Sequence, residues 1–439
     1  MKDKPSTQAW VVAADMGYGH QRAAHPLRMI AHNGVLIVGR NDASSPSERG
    51  LWARLLGVYE TFSRARGIPV IGKAIFNILD TLLHIPSLYP IRDLSRSTFQ
   101  VDLLASLVKQ GLGKGMLAKI GDTHLPLVTS YFAPAVAADM AGYDTIYCII
   151  CDADLNRVWV AKQPWESRIN YFAPCGRAAQ RLRAYGVPEE RIFLTGFPLP
   201  QELLGDNLAT LKHDLSRRLV RLDPERKFES LHAPSVQHFL DVDLREMKEE
   251  GPLTITYAVG GAGAQKEIGA SIVESLRARL ERGEVRLNLV AGIREEVNDY
   301  FLGVVRKFPS TASAVTVHHA PTIPEYFDRF NTLLRTTDIL WTKPSELSFY
   351  CALGIPIIMT PTIGSQEKFN RRWLFEVQAG MRQENPVYTD HWLWDAIRDG
   401  RMAEMAWDGF LKARKLGTRK IIEVLTTGHH TRSDSPLER

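Results

Sequence analysis

The sequence predicts an α/β protein made of two doubly wound, parallel-sheet halves. Three observations lead there. Short apolar runs alternate with helical patterns along most of the chain, the signature of parallel βαβ units. That rhythm stops in a charged stretch, residues 205–251, and then restarts. Each half also opens with a strand that leaves through a glycine-rich turn, Gly17-Tyr18-Gly19 in the first and Gly260-Gly261-Ala262-Gly263 in the second.

In chain order, the first half places strands at residues 10–14, 35–38, 125–129, 145–151, 169–172 and 192–194. Residues 43–120 interrupt the sequence of strands as a helical insertion. Residues 205–251, with Pro224 and Pro234 and no strand pattern, read as a helical connector. The second half places strands at 253–258, 285–290, 315–318, 338–341 and 356–359, with a helix after its glycine turn running to about Arg282. The expected division is therefore a first domain over 1–204, the connector, a second domain over 252–428 whose last helix packs back on the first, and a polar, disordered tail over 429–439.

Composition bounds the function. A chain of 439 residues exceeds one ordinary core, and 45% hydrophobic with 23% charged residues is a soluble globular balance. A net charge of +5 permits attraction to an anionic surface without demanding nucleic acid. Met1-Lys2-Asp3-Lys4-Pro5 lacks the apolar core of a signal peptide, so a cytoplasmic location is expected. The longest apolar stretch, residues 68–89, is broken by Lys73, Asp80, His84 and two prolines, so it does not read as membrane-spanning. Within 43–90, Trp52, Leu55, Leu56, Ile75, Phe76 and Leu79 are interleaved with arginines and Lys73. Such a segment either covers the core or lies on an anionic membrane surface. Cys148 and Cys151 have CxxC spacing but fall on a strand, where residues three apart face opposite ways, so a buried structural role is expected rather than metal or redox chemistry.

The two turns carry the chemistry. A glycine turn between a parallel strand and a helix lets backbone approach a ligand and aims free N–H groups at an anion. A dinucleotide site would want GxGxxG and an acid at the tip of the next strand. Here that tip carries Arg294, which disfavours NAD and offers a cation to a diphosphate. The first turn adds titratable groups, Asp15 before it and His20 after it, and an imidazole is a natural general base near neutrality.

These residues resemble a family. Asp15-Met16-Gly17-Tyr18-Gly19-His20-Gln21-Arg22-Ala23-Ala24 is similar to the Asp-x-Gly-Gly-Gly-His-x-x-x-Ala opening of monogalactosyldiacylglycerol synthases and processive diacylglycerol glucosyltransferases, with the lipid II N-acetylglucosaminyltransferase a more distant relative. Cys151-Asp152-Ala153-Asp154-Leu155 with Trp159 resembles their Thr-Asp-Leu…His…Trp segment. The run from Gly186 to Pro198, ending Thr195-Gly196-Phe197-Pro198, resembles the close of their acceptor domain. Gly354 to Asn370, containing Gly364-Ser365-Gln366-Glu367, resembles their donor segment.

The resemblance implies the GT-B fold, in which two Rossmann-like domains face each other across a cleft. It implies inverting transfer of a sugar from a UDP-sugar to a lipid or other hydroxyl acceptor, with no metal or other cofactor required; with the N-terminus and the basic, apolar segment, the expected location is cytoplasmic, peripheral on the inner face of the membrane. His20, Asp15 and Asp152 are then the candidate catalytic residues, and Gly17 and Gly19 shape the acceptor-side loop. Gly260, Gly261, Gly263, Arg294, Glu346, Gln366, Glu367 and Asn370 are the candidate donor-binding residues. Two positions depart from the family pattern. Phe349 stands where the family carries a glutamate that grips ribose, with Glu346 three residues earlier as its substitute, and Arg157 is nearest the missing histidine. Two other functions remain open with the same fold, a UDP-N-acetylglucosamine 2-epimerase and a sugar-nucleotide-binding protein without turnover.

Overall fold

The computed structural model describes residues 7–39, 43–45, 47–53, 85–248, 251–261, 263–362 and 364–439. The first sheet holds β1 (Trp10–Ala14), β2 (Leu36–Val38), β3 (Leu127–Thr129), β4 (Ile146–Ile149), β5 (Ile169–Ala173) and β6 (Ile192–Leu194), in spatial order β2-β1-β3-β4-β5-β6. The second holds β7 (Leu253–Ala258), β8 (Val285–Gly292), β9 (Val315–His319), β10 (Ile339–Thr342), β11 (Ile357–Met359) and β12 (Gly380–Arg382), in order β12-β11-β10-β7-β8-β9. Every neighbouring pair runs parallel. Helices cover the sheet faces, so β1 and β7 are buried along their whole length, which is why both read as unbroken apolar or β-branched runs rather than alternating ones.

This order sets the location of the site. In each sheet the first strand lies inside, and the chain builds outward first on one side and then on the other. The reversal falls between β1 and β3 in the first sheet and between β7 and β10 in the second. Loops diverge there at the carboxyl ends of the strands and leave a crevice.

The connector is helical, as its composition predicts, with helices Ala209–Leu222 and Lys227–Leu240. It is fastened to the second sheet by two arginines. Arg218 is buried and donates to the carbonyls of Thr337, Leu353 and Gly354, and Arg221 pairs with Asp338 at 2.8 Å. The last helix, Gly417–Thr427, returns to the first domain: Thr418 Oγ1 donates to the Leu199 carbonyl and Arg419 Nε to Gln201 Oε1.

Several expectations need correction. Residues 429–439, expected to be disordered, dock instead on the last helix and the loop before it: Thr431 donates its backbone N–H to Glu423, Lys415 donates its own to the Arg439 carbonyl, and Arg414 pairs with Asp434 at 3.2 Å. The helix after the second glycine turn breaks at Leu276 into Lys266–Ser275 and Arg277–Glu281. Trp52, counted with the membrane-facing side chains, is buried, and its indole N–H donates to Glu48. Glu48 also accepts the N–H groups of Gly113 and Gly115, so residues 47–53 are held to the first domain as core cover. Leu55, Leu56, Ile75, Phe76 and Leu79 lie outside the described residues. Among the described residues no helix is long and apolar enough to cross a membrane.

Candidate active site in the interdomain cleft

The two crevices open towards each other and enclose a cleft of about 310 Å³. From the first domain it is lined by residues following β1 (Met16 to His20), β3 (Tyr131) and β4 (Cys151, Asp152), together with Arg22 and Trp159. From the second it is lined by residues following β7 (Val259 to Gly261) and β10 (Lys343 and Ser345 to Leu347), by Tyr326, and by Gln366, Glu367 and Asn370.

The first turn works as its glycines suggest. Gly17 has φ of +88°, in the region that side chains rarely adopt, and it starts the helix Tyr18–Ala24. Gly19 is needed for a different reason. A Cβ there would stand 3.1 Å from the Glu346 carboxylate, which reaches over from the second domain. His20 follows, with Nδ1 2.7 Å from the Ser130 carbonyl at the end of β3. A carbonyl only accepts, so Nδ1 carries the hydrogen and Nε2 keeps its lone pair. Burial against Tyr131 and Trp159 pushes the imidazole pKa below its ordinary value, which favours the neutral ring at pH 7.

Asp152 stands at the end of β4. Its pKa is raised to about 6, first by burial and then by the nearby Glu346 and Glu367 carboxylates, while the Asn370 amide and Lys343 oppose the rise. Asp152 is therefore poised near neutrality, beside an imidazole that burial holds neutral. Asp15 is placed differently. It is not among the cleft-lining residues and accepts a hydrogen bond from Gln21, so it braces the helix start rather than facing a substrate.

The donor-side residues also sort apart. Gly260 and Gly261 line the cleft, but Gly263 packs towards Val297 behind it. Arg294 does not line the cleft either. Its Nε donates to the Gly261 carbonyl at 2.8 Å and so fixes the shape of the turn. Glu367 accepts from Lys343 (3.0 Å) and from the Gly364 N–H (3.1 Å), so its carboxylate caps the helix Ser365–Glu376 and holds a lysine where both line the cleft. Gln366 lines the cleft beside it. Asn370 is wholly buried and bonded to Asp152, Ala153 and Pro344, which leaves no exposed amide for a sugar hydroxyl.

Glu346 is paired with Arg22 at 3.2 Å, both being nearly excluded from solvent. The Arg22 guanidinium is enclosed by the rings of Phe327, Phe330 and Tyr326. Phe349, one turn after Glu346, points away from the cleft. It stacks on Phe197 of the first domain at 5.2 Å and contacts Trp373, so it seals the seam between domains.

Lys343 and Tyr18 are among the lining residues that escaped the sequence reading. Lys343 follows β10 directly, and its stem runs over Gly260; a lysine directly after an apolar strand at the reversal point was the available signal. Tyr18 crosses the cleft, and its hydroxyl accepts the Ile293 N–H at 3.0 Å. Lying between two glycines, it read only as part of a turn. Cys151 also lines the cleft, donating to the Ser130 carbonyl, and all four cysteines are buried and free.

A family described as a domain of unknown function (DUF6938) matches residues 304–387. No curated protein matches the sequence. Among solved structures, a glycosyltransferase of kitacinnamycin superposes over 96% of this chain and 99% of its own, at 14% identity and a TM-score of 0.50. The fold is GT-B. Acinetobacter baumannii MurG covers 96% of this chain and 99% of its own at 14% identity, with a TM-score of 0.46. Staphylococcus aureus MnaA, in a co-structure with UDP, covers 96% of each chain at 11% identity, with a TM-score of 0.49.

Proposed function

We propose that the protein is a hexosyltransferase that moves a sugar from a UDP-sugar to a hydroxyl acceptor, with inversion and without a metal. One observation carries this reading: His20, whose Nδ1 is tied to Ser130, and the Gly260–Gly261 turn with Lys343 line a single cleft from opposite domains. In the proposed step Nε2 takes the proton of the acceptor hydroxyl as its oxygen bonds the anomeric carbon. The bond to UDP breaks on the far side, and the charge left on the diphosphate is met by Lys343 and by N–H groups of the turn. A single displacement from opposite faces inverts the anomeric centre. Asp152, near its midpoint, orients the acceptor or shares its proton. Gln366 and the Glu367–Lys343 pair stand where the sugar would lie.

The acceptor in this reading is a lipid or another hydroxyl compound, and the domain over 1–204 presents it to the nucleotide domain over 252–428. An anionic, inner-face membrane surface met by residues 43–90 is part of the same proposal and rests on their basic, apolar sequence. A second reading is supported by the acidic groups in the cleft. Asp152, Glu346 and Glu367 suit proton transfers on the sugar ring itself, the chemistry of a 2-epimerase. Incubation with several UDP-sugars and hydroxyl acceptors, followed by product analysis, separates the two. Release of UDP with a new glycoside supports transfer. An isomerised UDP-sugar with no UDP released supports epimerisation, and tight binding without change identifies a binding protein.

A further inference from the structure

We infer that Asn370 is a positioning residue that orients the Asp152 carboxylate only while the two domains are closed, making closure and catalytic competence one event. Asp152 belongs to the first domain and Asn370 to the helix Ser365–Glu376 of the second. Asn370 Oδ1 accepts the N–H of Ala153 at 2.8 Å, and Nδ2 donates to Asp152 Oδ1 at 2.8 Å and to the Pro344 carbonyl at 3.3 Å. This partner set admits one amide orientation, since nitrogen must face the carboxylate and the carbonyl while oxygen faces the N–H. Both amide hydrogens are used and the side chain is wholly buried, so it has nothing left to offer a sugar.

The surroundings give this contact its consequence. Asp152 faces Glu346 from the segment after β10, Glu367 from the helix of Asn370, and Lys343 at the end of β10, with His20, Arg22 and Cys151 on its own domain. Arg22 is committed to Glu346 and Lys343 to Glu367. The Asn370 amide is thus the neutral donor that favours an ionised Asp152 among carboxylates. When the second domain moves away, that donor and the grip on Ala153 leave together.

The test has two arms, and only the second depends on the transferase reading. In the first, the stability difference between proteins with Asp152 and with Asp152→Asn is followed against pH, in the native and Asn370→Ala backgrounds. This reports the titration of Asp152 without turnover. The midpoint is expected to move upward in Asn370→Ala, and further in Asn370→Asp, which keeps the side-chain shape and places a second carboxylate against the first. In the second arm, UDP-sugar turnover by Asn370→Ala should fall about tenfold at pH 7, with its acid limb shifted upward and UDP affinity within about twofold of native. An unmoved midpoint, or a weakened UDP-sugar KM with native kcat and pH limb, overturns the proposal and makes Asn370 structural or a donor ligand. If the native protein turns over no UDP-sugar, the transferase reading fails and the first arm still decides.

Discussion

His20 and Asp152 share one side of the cleft, yet burial drives their protonation in opposite directions. The imidazole is held neutral, with its Nδ1 hydrogen given to Ser130, while the carboxyl is pushed up to about 6. Activity should therefore fall as pH drops below about 6 and stay level from 7 to 8, which a kcat/KM profile checks. Stability follows the same group with a definite sign. The folded pKa of Asp152 lies above its unfolded value near 3.8, so its contribution is fully present below that value and lost as pH rises through about 6. Asp152→Asn removes this dependence. The variant should match the native protein at pH 4 and exceed it by about 2–3 kcal/mol at pH 8, as measured by chemical denaturation. A variant less stable at both pH values would show that the carboxylate is not strained.

At the scale of elements, the strands were legible because burial on both faces leaves an apolar run with little ambiguity. Eleven of the twelve among the described residues were anticipated, within a few residues at their ends. The twelfth, β12, is three residues long and begins with Gly380, too short to show any period. The β1 and β7 turns were equally readable, since glycine repeats mark them. What sequence could not show is which side chains cross between domains. Asn370 and Glu367 read as donor-binding residues, whereas their polar atoms are engaged with Asp152, Lys343 and Gly364. Tyr18 is the clearest case, because its partner Ile293 lies 275 residues away. The turn itself makes a prediction. A Cβ at Gly261 would already touch the Tyr18 ring at 3.4 Å, so the larger Gly261→Val side chain crowds both the tyrosine and the space above the turn. UDP affinity should drop at least tenfold by calorimetry while the fold is retained. Unchanged affinity would remove this turn from the nucleotide site.

For the whole molecule, the connector, the last helix and side-chain contacts between the domains hold the two reversal points face to face across the cleft. The buried Arg22–Glu346 pair spans that junction. Removing one partner of a buried pair leaves the other uncompensated, so Glu346→Ala should cost about 3–5 kcal/mol and loosen closure, visible as a larger radius of gyration in solution scattering. Membrane association belongs to this scale too. If residues 43–90 meet an anionic surface, co-sedimentation with anionic vesicles should be strong at low salt and fall as salt rises, each basic residue near the surface contributing about 1 kcal/mol. No recovery at any salt concentration would favour a soluble acceptor. The measurement closest to the central claim, a base on the first domain and a nucleotide on the second, compares native protein with His20→Ala for both UDP affinity and UDP-sugar turnover. The account predicts equal UDP affinity and a turnover reduced about 10²–10⁴-fold in the variant. Normal turnover by His20→Ala, or UDP binding lost along with it, would contradict the account.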